Sequence, residues 1–286
     1  MLNLYDFATN SQMFKKFELD NLMFIEYHCI FDELKTGYWT HCNYLIYIVS
    51  GKKKWRSIDK EYEGLPGQAL FMKKGAYVAE QFLEEQFCSL ITFLPDDFIR
   101  TVMQNRGLKN PGKAVDIKED SILPIHVNDV LQSYFHSVLS YFPQQKPPSD
   151  GLLKVKFEEF VINILTNTQN PALATYFDEV CLSSKISIRQ IMEANFAYNM
   201  NLEEFARLSG RSLSTFHRDF KKEFNTSPSK WLTQRRLEFA RFLLETTRKS
   251  INEIAFESGF ENTSHFIRVF KNKFNSTPLK FQQTIQ

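Results

Sequence analysis

Two short stretches of this sequence carry side chains suited to hydrogen-bonding another macromolecule. In the first, Ser214, His217, Arg218 and Lys221 stand at i, i+3, i+4 and i+7, the spacing that gathers side chains on one face of a helix. Fifty residues on, Ser264, Ile267, Arg268 and Lys271 repeat the spacing. A guanidinium matches the two acceptors on a guanine edge, small hydroxyl residues permit close approach, and ammonium groups neutralise phosphates. A helix with such a face is what a major groove about 12 Å wide admits. On one helix alone the pattern would equally describe an ordinary solvated surface, so its recurrence is what separates the two readings.

The elements that must position these faces also occur twice. Behind each face runs a stripe of phenylalanines: Phe216, Phe220 and Phe224, then Phe266, Phe270 and Phe274. Upstream, Leu202-Glu203-Glu204-Phe205-Ala206 through Ser209-Gly210 reappears as Ile251-Asn252-Glu253-Ile254-Ala255 through Ser258-Gly259, at an offset of 49 that becomes 50 beyond the glycine. Each copy reads as a short helix, a turn and a second helix, with Gly210 ending the first and Ser212 capping the next. Asn225 and Asn275 follow the striped helices as left-handed caps. Two copies are too few for a solenoid, so a duplicated small module fits better. Between them Trp231, Leu232, Leu237, Ala240, Leu243 and Leu244 predict a helix over Trp231–Glu245, opened by Ser227-Pro228. It makes a rod of roughly 22 Å, and with the width of its flanking modules it would hold the two outer helices about one DNA turn, ~34 Å, apart.

Composition narrows the field. Across 286 residues, 35 Lys and Arg face 33 Asp and Glu, a net charge of +2, and 43% of residues are hydrophobic. This is an ordered chain with room for two cores. Divided at Ser183, the first part carries −5 and the second +7, which places any polyanion contact in the second. A charge of +7 is modest for a non-specific packaging protein, which works through many phosphate contacts. No run approaches the ~18 to 20 apolar residues of a membrane span, and Met1 to Lys16 lacks the pattern of a secretory signal, so a cytoplasmic protein without membrane association is expected. Cys29, Cys42, Cys88 and Cys181 are scattered and spell out neither a disulfide framework nor a zinc site.

The N-terminal part reads as β-rich. Met23–Ile30, Tyr44–Val49, Ala69–Met72, Tyr77–Phe82 and Phe87–Phe93 are apolar runs punctuated by Ser50-Gly51, Pro66-Gly67 and Lys74-Gly75, the spacing of a sandwich or barrel. Tyr27, Trp39, Tyr47, Trp55 and Phe71 either line a ligand pocket in it or fill its core. His28 and His41 form no His-x-His pair, which argues against a metal enzyme; no catalytic residue, metal or cofactor is expected. Apolar stripes predict helices over Val127–Phe142 and Leu152–Leu165, which either pack on the barrel or pair with a second subunit. Asn167 to Ala174, with Pro171, marks the transition toward a linker.

Ile254-Ala255, Ser258-Gly259-Phe260, Ser264, Phe266, Arg268, Phe270-Lys271, Phe274 and Pro278 together resemble the signature of the AraC/XylS family of bacterial transcription regulators. The likeness spans Lys185 to Gln286. It implies an α+β protein with an AraC-type DNA-binding domain at 185–286, built of two helix-turn-helix units joined by a helix, whose recognition helices enter adjacent grooves of promoter DNA. Carried over by position, base or phosphate contact falls on Ser214, His217 and Arg218, and on Thr263, Ser264 and Arg268, with Lys221 and Lys271 on phosphates. The family usually has glycine where this chain has Asn225 and Asn275, and often a larger residue at Ser214. The N-terminal part resembles the cupin-like sensor domains of such regulators, particularly those of type III secretion activators, through Pro66-Gly67, Leu70-Phe71 and Gly75-Ala76-Tyr77. It is expected to span 1–170 (β-rich over 1–115, helical over 116–170), with a linker at 171–184. The resemblance implies an activator that contacts RNA polymerase, answers a small effector or regulatory protein, and forms a homodimer through 127–165. The competing expectation is a cupin-type metal enzyme with an appended helical module.

Overall fold

A computed structural model describes residues 1–28, 35–58, 60–82, 86–117, 120–166, 168–182 and 187–285. The chain divides into two compact units, Leu2–Ser184 and Lys185–Gln286, and its fold class is α+β.

In the first unit β1 (Leu2–Asn3) and α1 (Leu4–Asn10) lead into β2 (Lys15–Leu19) and β3 (Leu22–His28). There follow β4 (Lys35–Thr40), β5 (Asn43–Ser50), β6 (Lys53–Arg56), β7 (Glu61–Gly64), β8 (Ala69–Met72), β9 (Gly75–Gln81) and β10 (Cys88–Leu94). Helix α2 (Asp96–Arg106) precedes β11 (Ile122–Ile125), and α3 (Asp129–Leu139), α4 (Asp150–Leu165) and α5 (Pro171–Leu182) complete the unit. The strands form two sheets, ordered β1-β4-β9-β6-β7 and β11-β8-β5-β10-β3-β2; β1 pairs parallel with β4 and the other pairs are antiparallel.

Both faces of the six-stranded sheet are covered. Met23, Ile25, Tyr44, Ile46, Ile48, Ile91 and Phe93 turn toward the five-stranded sheet, where they meet Tyr38, Trp55, Tyr77 and Ala79. Their alternates Phe24, Leu45, Tyr47, Phe71 and Leu90 turn toward α2, α3, α4 and α5. Successive strand residues point to opposite faces, so a strand covered on both reads as a continuous apolar run, as β3, β5 and β8 do. Phe24 stacks on Phe157 at 3.9 Å and Tyr47 on Phe135 at 4.3 Å between ring centroids, which ties the sheet to α4 and α3.

The linker expected at 171–184 is instead α5, a helix of the N-terminal unit. Pro171 is not a breaker but the first helical residue, where its missing N–H leaves nothing unsatisfied. Leu173, Ala174, Phe177 and Val180 are buried against the same core as α2 and α4. Helix α2 was also not anticipated: it opens after Pro95 with Asp96 and Asp97 at its positive end and closes at Gly107 in the left-handed region.

The second unit is all-helical: α6 (Ile188–Asn195), α7 (Leu202–Leu208), α8 (Leu213–Phe224), α9 (Pro228–Thr246), α10 (Ile251–Glu257), α11 (Thr263–Phe274) and α12 (Pro278–Ile285). Helix pairs α7–α8 and α10–α11 are the two helix-turn-helix copies, and α9 joins them, starting three residues earlier than the apolar stripe alone indicated because Ser227 caps it with Pro228 at the first position. A further duplicated signal lies in the first helix of each copy. Asn201 with Glu204, and Ser250 with Glu253, form capping boxes in which each side chain bonds the other residue's backbone N–H. The Ser250 hydroxyl and amide hold the Glu253 carboxyl below its ordinary pKa.

Asn225 and Asn275 end α8 and α11, each at φ 54°. A side chain without a short polar group pays about 1 to 2 kcal/mol to adopt this region. Asn225→Ala should therefore lower the unfolding free energy by about that amount while Asn225→Gly leaves it level or higher, read by urea denaturation.

Candidate nucleic-acid interface

The recognition face of α8 is built by a cap, a core stripe and an ion pair. Ser212 accepts from Thr215 N–H and fixes where the helix begins. Phe216 and Phe220 are fully buried, and Phe224 stacks on Phe220 at 4.3 Å. That locks the helix rotation and leaves Ser214, His217, Arg218 and Lys221 exposed together. Asp219 lies between two arginines: Arg211 Nε sits 3.3 Å from one carboxylate oxygen and Arg218 Nε 3.4 Å from the other. Arg211 also donates to Ser209 O at 3.0 Å, so it braces the turn, whereas the Arg218 side chain remains 76% exposed.

Helix α11 repeats the arrangement with a different cap. Asn262 Oδ1 accepts from the amides of Ser264 and His265, at 2.8 and 3.1 Å. Phe266 and Phe270 are fully buried, with Phe274 and Phe281 against Phe270 at 4.5 and 5.7 Å. Ser264, Ile267, Arg268 and Lys271 are exposed, and Thr263, the first helical residue, is half-buried. Neither Arg268 nor Lys271 has an ion-pair partner among the described residues, which leaves both free to meet an anion. Lys273, two residues further along and on the side that faces α9, is occupied with Glu238 at 3.1 Å.

All eight sequence-derived contact residues thus lie on α8 or α11, and seven of them are exposed. His265 was missed: it is exposed in the first turn of α11, beside Ser264. Its position in the first turn, where recognition helices meet base edges, was the available signal. Also missed was what holds α9 to α6, to the loop ahead of the first copy and to α11. Arg236 on α9 donates to the carbonyls of Phe196 and Tyr198 at 2.7 and 2.6 Å, and loss of hydration lowers its guanidinium to about 10. Arg235 reaches Glu193 on α6 at 2.7 Å, and Glu238 takes both Arg235 and Lys273.

The five aromatic residues considered as pocket lining divide by strand alternation. Tyr27 and Trp55 border a cavity of about 50 Å³ between the two sheets, together with Tyr38, Tyr44, Lys53 and Ser89. Tyr47 and Phe71 face the helices instead, packed on Phe135 and on Tyr176, and Trp39 is buried without bordering this cavity. The even-numbered residues of β5 point between the sheets, so Tyr47 had to point away. Tyr38 and Tyr44 share a 2.6 Å hydrogen bond, and burial pushes both phenols above their ordinary pKa. At about 50 Å³ the cavity holds a water or two, whereas ligand sites usually run to roughly 300 Å³ or more. His28 is exposed beside Glu26, His41 bonds the Asn3 amide, and no cluster of three His, Cys, Asp or Glu side chains suited to a metal occurs among the described residues. Cys42 is buried and unpaired, Cys88 and Cys181 are free and half-buried, and Cys29 lies outside the described residues.

Known proteins supply an independent comparison. The ExsA N-terminal regulatory domain matches residues 43–176, and a helix-turn-helix domain matches residues 205–284. The virulence regulon transcriptional activator VirF of Yersinia enterocolitica is 24% identical over 246 residues, covering 84% of this chain and 89% of VirF. The HTH-type transcriptional regulator ExsA of Pseudomonas aeruginosa is 25% identical over 239 residues, covering 82% and 84%. The HTH-type transcriptional activator RhaS of Escherichia coli is 34% identical over 92 residues, about a third of each chain. Among solved structures, ToxT from Vibrio cholerae aligns over 91% of this chain and 97% of its own, at 16% identity and a TM-score of 0.38. Two helix-turn-helix copies with outward basic faces, behind a β-rich domain of the ExsA type, place the chain in the AraC/XylS family of DNA-binding transcription regulators.

Proposed function

We propose that the chain activates transcription by binding promoter DNA through both recognition helices at once. The observation that carries this is the twofold occurrence of one exposed face, Ser-x-x-x-Arg-x-x-Lys, on α8 and α11, each clamped to the same connecting helix. Arg218 and Arg268 read base edges; Ser214, His217, Thr263 and Ser264 allow or make close contacts; Lys221 and Lys271 neutralise phosphates. The relatives VirF and RhaS are both transcriptional activators, which supports the direction of regulation and, with it, contact with RNA polymerase.

The N-terminal unit receives the signal. Its inter-sheet cavity is small for an organic effector, which favours a protein partner or a second copy of the chain at its surface. The outward faces of α3 and α4 carry Val130, Leu152 and Val155, each at least 40% exposed, and these fit self-association through 127–165. A cytoplasmic location follows from the proposed role.

Selection of bound sequences from random duplex by the purified chain, followed by footprinting, tests the proposal. It should return a site protected over two successive major grooves on one face of the duplex, and adding the chain should raise transcription from that site by purified RNA polymerase. Binding without sequence preference, or protection of a single groove, would overturn it.

A further inference from the structure

The two turn glycines of the repeat are not equivalent. Gly210 and Gly259 occupy the same place in their copies and both have positive φ, 66° and 86°. A Cβ on Gly210 would meet nothing within 4 Å. A Cβ on Gly259 would lie 2.8 Å from Arg236 Nε and 2.9 Å from Ala197 O. At this point three pieces of chain converge: the 196–200 loop, two residues before α7; Arg236 in the middle of α9; and Gly259, four residues before α11. Arg236 bonds the carbonyls of Phe196, Tyr198 and, at 3.5 Å, Met200, and no carboxylate among the described residues pairs with it. A guanidinium has donors fixed in a planar fork, so carbonyls that engage it define a direction where apolar packing defines only proximity.

We propose that this junction fixes the two helix-turn-helix units at one separation and angle, making Arg236 and Gly259 positioning residues that set the spacing of the two half-sites the protein accepts. This rests on the reading that both α8 and α11 enter the duplex. Affinity for a composite site exceeds that for a half-site only if the second helix is delivered in register, which is a matter of effective concentration. One added base pair turns the far half-site by roughly 34° and moves it by about 3.4 Å, a mismatch that a locked pair of helices does not follow and a loosened pair does. Apolar contacts of Leu237, Ala240, Leu243 and Leu244 with α10 and α11 hold α9 against the second copy, and the Arg236 fork ties the same helix in a fixed direction to the loop that leads into the first.

The test uses the full chain on a site selected from random duplex, on the same site with one base pair inserted or removed between its halves, and on each half flanked by scrambled sequence. The wild type should bind the altered spacings about tenfold or more weakly. Gly259→Asn keeps a residue that tolerates positive φ but fills the junction, and Arg236→Lys keeps the charge but removes the fork. Each should lose about tenfold on the composite site, stay within about twofold on the half containing the α11 contacts, and discriminate spacings by no more than about threefold. Gly210→Asn, matched in backbone demand, should behave as the wild type. Circular dichroism and thermal melting confirm that each variant is folded. A wild type that binds all three spacings within twofold overturns the proposal whatever the variants do. So do folded junction variants that keep the wild-type spacing preference. A wild type that binds the composite no better than one half would instead show that the two-groove reading itself is wrong.

Discussion

Replacing Phe220 by alanine should cost the C-terminal unit about 3 to 5 kcal/mol, a large part of the 5 to 15 kcal/mol that stabilises a typical domain. Phe220 is fully buried, stacks on Phe224 at 4.3 Å and meets Trp231 of α9 edge-on at 6.0 Å, so its removal opens a cavity where α8 joins the connecting helix. Collapse of that cavity would need α8 to tilt, and Phe216 and Phe224 on either side resist tilting. The penalty should therefore approach the upper end of the range. In thermal denaturation it corresponds to a drop of roughly 20 to 40 °C for a unit of this size. Phe256→Ala is the matched control: that ring is 60% exposed and its removal should shift stability by less than about 0.5 kcal/mol. Equal effects of the two changes would refute the claim that the phenylalanine stripe orients the recognition helix.

This contrast shows what was legible in the sequence. Phe216, Phe220 and Phe224 announce a buried stripe because helical periodicity is a local property, and duplication of the pattern made the opposite face legible as well. Strand existence in β5 and β8 was legible for the same reason. Their two-sided burial was not, because the second layer comes from α3, α4 and α5, whose packing on Tyr47 and Phe71 is non-local. That hidden layer is why Tyr47 and Phe71 were grouped with Tyr27 and Trp55. Pro171 misled for a different reason: a proline reads alike as a linker or as the first residue of a helix, and only the burial of Leu173, Phe177 and Val180 decides between them. Arg236 resisted the sequence most, since its partners are backbone carbonyls some 36 to 40 residues away that have no signature in side-chain identity.

Arg268→Ala should weaken binding to the preferred duplex by about 1 to 3 kcal/mol, a factor of roughly 5 to 150, while leaving binding to random duplex nearly unchanged. The side chain is exposed on α11 with Phe266 and Phe270 locked behind it, and no acidic residue among those described neutralises it, so the guanidinium reaches the groove without breaking an internal bond. Arg218→Ala should lose less of its free energy at equal base contact, because the wild-type Arg218 shares Asp219 with Arg211 and its removal leaves that carboxylate to Arg211 alone. Lys271→Ala separates charge from readout: it should weaken all sequences alike and reduce the slope of log affinity against log salt by about one. The three variants together discriminate the roles. Uniform losses on selected and random duplex for both arginine changes would mean that α8 and α11 grip the backbone without reading bases. Specificity would then have to arise from the spacing of the two helices and the shape of the DNA between them.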